Sequence, residues 1–227
     1  MLTPKRPIFF NFKTFKKELV KLPLRHQIAF NAACCERIIP NYNAFSRVTN
    51  SGDPSVPRKA LDAVWHFLEG EPMDAVKYHQ LREEIYSLPL DDIESLIDID
   101  SDECQNLFLY GVDAVLDAIC QTLEACFDPN IKSFFMPVDK AREIVEFFVE
   151  SLDEDFPDNI DSVYPNLEIL DRDKMDILDK HPLSIREVAK ENEDLQRLQE
   201  TPILDREILE WLRTSFDNDG KSNINLG

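Results

Sequence analysis

Hydrophobic residues recur every three to four positions along most of the chain, and polar residues fill the positions between them. This spacing is typical of α-helices that bury one face. The stripes are interrupted at prolines, at Asp-Pro pairs and at a few glycines, which begin or end helices. The sequence has no alternating run of the kind that half-buried strands produce, and no repeat with a period of about 20–50 residues. The pattern therefore predicts an all-α fold, a single domain of about six to nine helices packed as an irregular bundle.

The most distinctive stretch is residues 33–65, and we expect the fold to be organised around it. The helix predicted over residues 24–39 carries many small side chains, which let neighbouring helices approach closely: Ala29, Ala32, Ala33, Cys34 and Cys35. We therefore expect this helix to be nearly surrounded. Pro40 is predicted to end it, because a proline disfavours helical geometry in the residue before it.

A turn is expected at Pro40-Asn41-Tyr42, after which Phe45 returns to the core. The pair Asp53-Pro54 predicts the start of the next helix, with a carboxylate cap followed by proline at the first helical position. Gly70 is the predicted end of that helix.

The other helices are predicted from the same stripes and breaks. Their approximate bounds are 12–22, 71–86, 89–99, 102–127, 137–149, 167–178, 182–200 and 202–216. Within them, we expect Val76, Leu81 and Ile85 to point inward. Gly111 costs a helix about 1 kcal/mol relative to alanine, which predicts a close helix contact at that residue.

Charge divides the chain unequally. The net charge is −19 and the pI about 4.5, yet residues 1–26 carry seven basic residues against Glu18, a net +6 that leaves −25 for the rest. We predict a basic segment over residues 1–23, docked on an acidic helical domain over residues 24–227; a partner-binding arm is the alternative. Such an acidic body repels phosphate backbones, so no nucleic-acid partner is expected.

Cysteine usage and hydropathy favour a cytoplasmic protein. No apolar run approaches the roughly 20 residues of a membrane-spanning helix, and the N-terminal segment lacks a signal-peptide core. No membrane partner is therefore expected. The number of cysteines is odd, at five, which favours reduced thiols over a disulfide framework.

Metal and cofactor motifs are not supported by the sequence. Asp98 to Asp102 and Ser215 to Gly220 resemble calcium loops, but Leu109 and Leu226 stand where the last carboxylate ligand belongs. We interpret these acids as helix caps or surface residues. Zinc, P-loop and dinucleotide motifs are not found, so no cofactor is predicted.

Two kinds of polar constellation remain. Cys34 or Cys35 could act as a nucleophile if the fold brought His26 or His66 beside it, although thiols in the middle of a helix are usually buried and inert. The second kind consists of acids near the central stretch. The simplest interpretation is a hydrogen-bonded network that pins the turn after the first core helix and comprises Glu36, Arg37, Asp53 and Arg58.

Two i,i+4 pairs share helix faces, Asp62 with His66 and Asp113 with Asp117. They support an alternative function, a hydrolase or metal-dependent enzyme built on Glu36, Asp62, His66 and Asp117.

The residues of the central stretch also carry a family resemblance. With a second motif and the ending Ser222-Asn223-Ile224, the chain resembles the YjaG-like bacterial family, catalogued as domain of unknown function 416. The motif positions are Cys35, Glu36, Arg37, Pro40, Asn41, Tyr42, Phe45, Gly52, Asp53, Arg58, Leu61, Asp62, Trp65, Leu109, Tyr110, Gly111, Val112, Asp117 and Ala118. The resemblance implies an all-helical bacterial protein and supplies no activity, ligand or catalytic residue. A longer basic N-terminal segment and an acidic stretch near residues 150–165 depart from the family pattern.

The function that this sequence favours is a non-catalytic interaction or regulatory module. The net charge of −25 after residue 26 attracts a basic partner over a long range. Within this part of the chain, residues 150–161 hold six acids and no base. The basic partner is either another protein or the N-terminal segment of a second copy of the chain.

Overall fold

A computed structural model describes residues 12–88, 103–128, 135–152 and 176–227 of the chain. This described part contains eight long helices and no strand, which confirms the all-α prediction. Residues 176–180 add a short helical segment before the seventh helix. The helices are α1 Phe12–Leu19, α2 Leu24–Thr49, α3 Ser55–Glu69, α4 Ala75–Tyr86, α5 Glu103–Phe127, α6 Met136–Ser151, α7 Pro182–Glu200 and α8 Arg206–Thr214. The helix predicted over 89–99, most of that over 167–178 and the acids of the stretch 153–161 lie outside the described residues.

Pro40 lies inside a helix and does not end one, contrary to the prediction. The helix predicted to stop at Ile39 continues through Pro40 to Thr49, and the turn predicted at Pro40-Asn41-Tyr42 is helical. A proline removes a hydrogen bond to the carbonyl four residues earlier, at a cost of about 3 kcal/mol or more. Burial of the following turns offsets this cost, since Tyr42 and Phe45 are fully buried.

Helix α3 begins and ends where predicted, to within two residues. The N-cap is Pro54, one residue later than predicted, and Asp53 Oδ1 accepts a hydrogen bond from the Ser55 backbone N–H at 2.9 Å just before the first turn. At the other end Gly70 has a φ of 112°, a left-handed conformation that glycine adopts without strain.

Helices α4 and α8 begin later than predicted. The sequence places their starts at Pro72 and Pro202, but the capping carboxylates are Asp74 and Asp205, which accept hydrogen bonds from backbone N–H groups three residues on. Of the three residues of α4 expected to be buried, Leu81 and Ile85 are, whereas Val76 in the first turn is 77% exposed.

Helix α2 is the axis of the bundle, and it packs against α3, α5, α6, α7 and α8. Its small residues Ala29, Ala32 and Ala33 are buried, as predicted. Gly111 on α5 behaves differently: no described atom lies within 4 Å of the place that a Cβ would take, so the expected close contact is not found.

We expect Ala33→Leu to lower the free energy of unfolding by about 1–3 kcal/mol, because Ala33 is 2% exposed and the added atoms have no space. Urea unfolding of the purified variant measures this, with Arg47→Leu at an exposed position of α2 as the control. An Ala33→Leu midpoint and slope equal to those of the unaltered protein would show that α2 is not enclosed.

Helix α1 lies within the same core. Phe15, Leu19 and Leu22 are buried with the other core residues, and Lys16 Nζ lies 3.0 Å from Asp139 Oδ2 of α6. The division into a basic segment over 1–23 and a domain over 24–227 stays a prediction. No helix in the described ranges is both long and apolar enough to cross a membrane.

Candidate functional site

Two neighbouring residues of α2 serve two different polar clusters. Glu36 points towards α3, and Arg37 points towards α7. We call the first the motif cluster, composed of Glu36, Arg58, Asp62, Trp65 and Arg213. We call the second the buried ion cluster, composed of Arg37, Arg142, Glu187, Lys190, Glu191 and Asp194.

The motif cluster joins α2, α3 and α8. Arg58 donates to both carboxylate oxygens of Glu36, at 2.7 and 2.9 Å, and its Nη2 lies 2.9 Å from Asp62 Oδ1. The indole N–H of Trp65 donates to Glu36 Oε1 at 2.7 Å. Arg213 of α8 pairs with Asp62. Each carboxylate of the cluster is thereby held by at least one arginine of the fold.

An open groove lies beside this cluster, between α3 and α4, with a volume of about 530 Å³. Arg58, Asp62 and His66 line it on α3, and Lys77 and Gln80 line it on α4. Two of the four residues of the enzyme hypothesis therefore meet at one surface. Glu36 and Asp117 do not line the groove.

The buried ion cluster joins α2, α6 and α7 inside the protein. Arg37 Nε donates to Glu187 Oε1 and Arg37 Nη1 to Asp194 Oδ2, both at 2.9 Å. Arg142 of α6 donates from Nε to both oxygens of Glu191 at 3.0 Å, and Lys190 pairs with Asp194. All six side chains are at most 9% exposed. Three basic and three acidic groups oppose one another, which suits an interior of low dielectric.

Burial shifts the titration of this cluster. Removal from water raises the pKa of Glu191 to about 7, against the opposing effect of Arg142, and it also raises the pKa of Asp194. Burial likewise raises the pKa of the Cys34 thiol well above its ordinary value, so Cys34 stays protonated beside Arg37.

The raised pKa of Glu191 predicts a pH dependence of stability. Between pH 4.5 and about 7 the folded protein holds a proton on Glu191 that the unfolded chain releases. This stabilisation is therefore present below about pH 4.5 and is lost as pH rises to about 7. We expect the stability of the unaltered protein relative to Glu191→Gln to fall over this window. Urea unfolding of both proteins at several pH values measures it, and parallel pH profiles would contradict the prediction.

The structure does not assemble the predicted thiol nucleophiles. Cys35 is fully buried and bonded to Thr122 Oγ1 at 3.4 Å, and burial raises its pKa to about 12. His26 Nε2 lies 2.8 Å from the Thr201 carbonyl, and His66 is exposed in the groove. Neither histidine is bonded to a thiol among the described contacts.

The network predicted from the sequence is correct in part. Glu36 and Arg58 are paired, but Arg37 belongs to the other cluster, and Asp53 is exposed and accepts a hydrogen bond from the Ser55 backbone N–H. Asp117 lies on α5, 3.9 Å from Lys140 Nζ. Asn41 and Tyr42 are buried, and the side chain of Tyr110 lies outside the described residues.

Metal ligation finds no support in the part of the chain that is described: no three His, Cys, Asp or Glu side chains are grouped closely enough to hold an ion. The loop at Asp98 to Asp102 lies outside that part. Asp217 and Asp219 lie in a turn in which Asp217 Oδ1 accepts from the Asp219 N–H at 3.4 Å.

Sequence reasoning missed the acids and the lysine of α7. They occupy positions 187, 190, 191 and 194, between the buried Leu183 and Leu198. This helical spacing places them on the buried face of α7, where hydrophobic residues would be expected. This spacing was the available signal. Charged side chains are rarely fully buried, so such positions are ordinarily expected to face solvent.

Comparison with known proteins gives a family without an activity. The family described as "Protein of unknown function (DUF416)" matches residues 14–227. The chain is 38% identical over 50 residues to the uncharacterized proteins YjaG of Salmonella typhimurium and Salmonella typhi. Each match covers 22% of this chain, and the chain spans about a quarter, 26%, of the length of each relative. A crystal structure of a DUF416 family protein from Shewanella baltica OS155 has the same fold, with a TM-score of 0.67, 24% identity, and coverage of 94% of this chain and 98% of that one.

Proposed function

The chain belongs to the DUF416 family of proteins of unknown function, and from that premise we propose that it is a non-catalytic module that binds a basic protein. The observation that carries the proposal is charge: after the first 26 residues, the chain has a net charge of −25. Charge of one sign at this density speeds the encounter with an oppositely charged partner and repels acidic ones.

The described surface of α5 and α6 offers a place for such a partner. Asp113 and Asp117 lie one turn apart on α5, and Glu143 lies beside them on α6, with Lys140 as the cation between them. We call these three acids the acidic patch. Burial and the nearby Asp117 raise the pKa of Asp113, although Lys140 opposes this. A cation from a partner would relieve the repulsion between the two carboxylates.

The polar motif residues support a structural role beside this surface. Glu36, Arg58 and Asp62 are bonded to one another or to other side chains of the fold, and Arg37 is fully buried. Residues whose polar groups are paired within the fold stabilise the module. The acidic patch lies on the surface, where a partner can reach it.

Capture experiments test the acidic patch directly. The immobilised full chain is compared with Asp113→Asn/Asp117→Asn for the proteins that each retains from a lysate of the source organism at low salt. As a matched control, Glu207→Gln/Glu210→Gln removes two exposed acids from α8. We expect the α5 variant to lose a basic protein that the α8 variant retains. Equal retention by both variants would remove the patch from the proposal.

Self-association is distinguished by a deletion. Helix α1 is part of the core, so the deletion is confined to residues 1–11, which precede it and include Lys5 and Arg6. If a second copy supplies the basic partner, this deletion weakens self-association in sedimentation experiments. If the partner is another protein, its binding is retained.

An enzyme is the second candidate, since Asp62 and His66 line the same groove. In this hypothesis the hydrolase or metal-dependent chemistry uses these two residues. Metal analysis of protein purified without chelator, together with a broad hydrolase panel, tests it. Activity that Asp62→Asn abolishes without loss of stability would favour this candidate over the binding module.

A further inference from the structure

Two helices each carry a buried stripe of polar side chains, and Arg37 joins the two stripes. On α2 the stripe is Gln27, Asn31, Cys34, Arg37 and Asn41; on α7 it is Ser184, Glu187, Lys190, Glu191 and Asp194. Every member is exposed by 8% or less. We call this region the polar seam. An interior seam of this kind is stable only when its polar atoms have partners.

The C-terminal tail, residues 218–227, closes one part of the seam. The Asn223 backbone N–H donates to the Arg37 carbonyl at 2.9 Å, and its side-chain amide donates to the Ala141 carbonyl, also at 2.9 Å. Arg186 of α7 bonds to the Asn223 carbonyl. The tail thus lies against α2, α6 and α7 at the level of Arg37.

Four side chains around this junction have polar atoms without a hydrogen-bond partner among the described residues. They are both amide atoms of Asn41, Ser184 Oγ, Glu187 Oε2 and Asn223 Oδ1. Asn41 lies one turn beyond Arg37 on α2, Glu187 is bonded to Arg37, and Ser184 lies one turn before Glu187 on α7. All four residues are at most 3% exposed.

Five unpaired polar atoms at one junction are too costly to remain unpaired. A buried polar atom without a partner loses the hydrogen bonds that it makes to water in the unfolded chain, and the marginal stability of a folded domain is too small to carry five such losses. We infer that ordered internal water bridges Asn41, Ser184, Glu187 and Asn223, and so ties the C-terminal tail to α2 and α7.

The chemistry of the junction selects water over an ion. When Glu191 is ionised, the neighbouring ion cluster balances Arg37, Arg142 and Lys190 with three acids, so a further charge would be buried without a counter-charge. The unpaired atoms include a donor, Asn41 Nδ2, as well as acceptor oxygens. A neutral ligand that both donates and accepts satisfies them, whereas a cation would leave the amide donor unpaired.

Magnetic relaxation dispersion of the water ¹⁷O nucleus tests this directly, because it counts water molecules that stay inside the protein longer than it tumbles. We expect Asn41→Leu to lose at least one long-lived water relative to the unaltered protein. The control is Asn43→Leu, at an exposed position of the same helix, which should lose none. Ser184→Ala, a smaller change, serves if Asn41→Leu does not fold. An unchanged count in the folded seam variant would overturn the inference.

The stability of Asn41→Leu gives a second test, because the expected change in urea midpoint differs between a seam that holds water and one that does not. If water is hydrogen-bonded to the Asn41 amide, leucine at this position removes those hydrogen bonds and leaves the other polar atoms of the seam without a bridge. The urea midpoint should then fall by on the order of 1 M. If the amide is dry and unpaired, an apolar side chain of similar shape should leave the midpoint unchanged or raise it. A stoichiometric sodium or potassium ion in elemental analysis of dialysed protein would also overturn the assignment of water.

Discussion

Replacing Arg37 with methionine is expected to lower the free energy of unfolding by about 3–5 kcal/mol, among the largest effects of any substitution in this chain. The side chain is fully buried and bonded to both Glu187 and Asp194. Methionine preserves most of its length and removes the charge, which leaves two buried carboxylates without their shared cation. Breaking a buried ion pair from one side is costly for this reason.

Urea unfolding at pH 8 measures the effect, and Arg47→Met at an exposed position of α2 provides the control. A double variant adds Glu187→Gln to Arg37→Met, so that Glu187 is not left as a carboxylate without its cation, while Asp194 keeps Lys190 as its partner. It should recover part of the lost stability. A loss below about 1 kcal/mol for Arg37→Met, close to that of an exposed residue, would show that the cluster does not hold α7 to α2.

The second large effect is expected from Gly52→Ala, at about 2–4 kcal/mol of lost stability. Gly52 has a φ of +72°, which an L-residue rarely adopts, and an added Cβ would lie 2.4 Å from the hydroxyl of Tyr42. Tyr42 is fully buried, so its ring has little room to move away. Backbone strain and steric overlap therefore act together.

Two matched variants separate these causes. Gly220 has a nearly identical φ of +76°, but no atom of the described residues lies within 4 Å of its added Cβ, so Gly220→Ala carries the strain alone. Adding Tyr42→Phe to Gly52→Ala removes the hydroxyl and should recover part of the stability in thermal or urea unfolding. Equal losses for the two glycine variants would mean that Tyr42 does not determine the conformation at Gly52.

The sequence was sufficient for the fold class and for most helices, because the hydrophobic stripes and capping signals are local. It misplaced the starts of α4 and α8, where the capping acids Asp74 and Asp205 outweigh the prolines before them. It also ended α2 at Pro40, since a local rule cannot include the burial of Tyr42 and Phe45 that carries the helix past this residue. Tertiary packing decides such cases.

The candidate site was predictable to a similar extent. The pairing of Glu36 with Arg58 follows from their positions on consecutive core helices. The pairing of Arg37 with Glu187 and Asp194 spans about 150 residues of sequence, and no spacing rule connects them. A charged residue on a helix resembles a solvent-facing one until the opposing helix is known.

If this acidic module binds a basic protein through charge, as we propose, the affinity of the complex must depend on salt. The measurement is the dissociation constant of the captured partner between 0.05 and 1 M sodium chloride. Because the Debye length shortens from about 10 Å at 0.1 M to about 3 Å at 1 M, we expect strong binding at low salt that weakens steadily with added salt. Binding of equal strength across this range, or no protein retained at low salt, would rule out a basic partner held by charge.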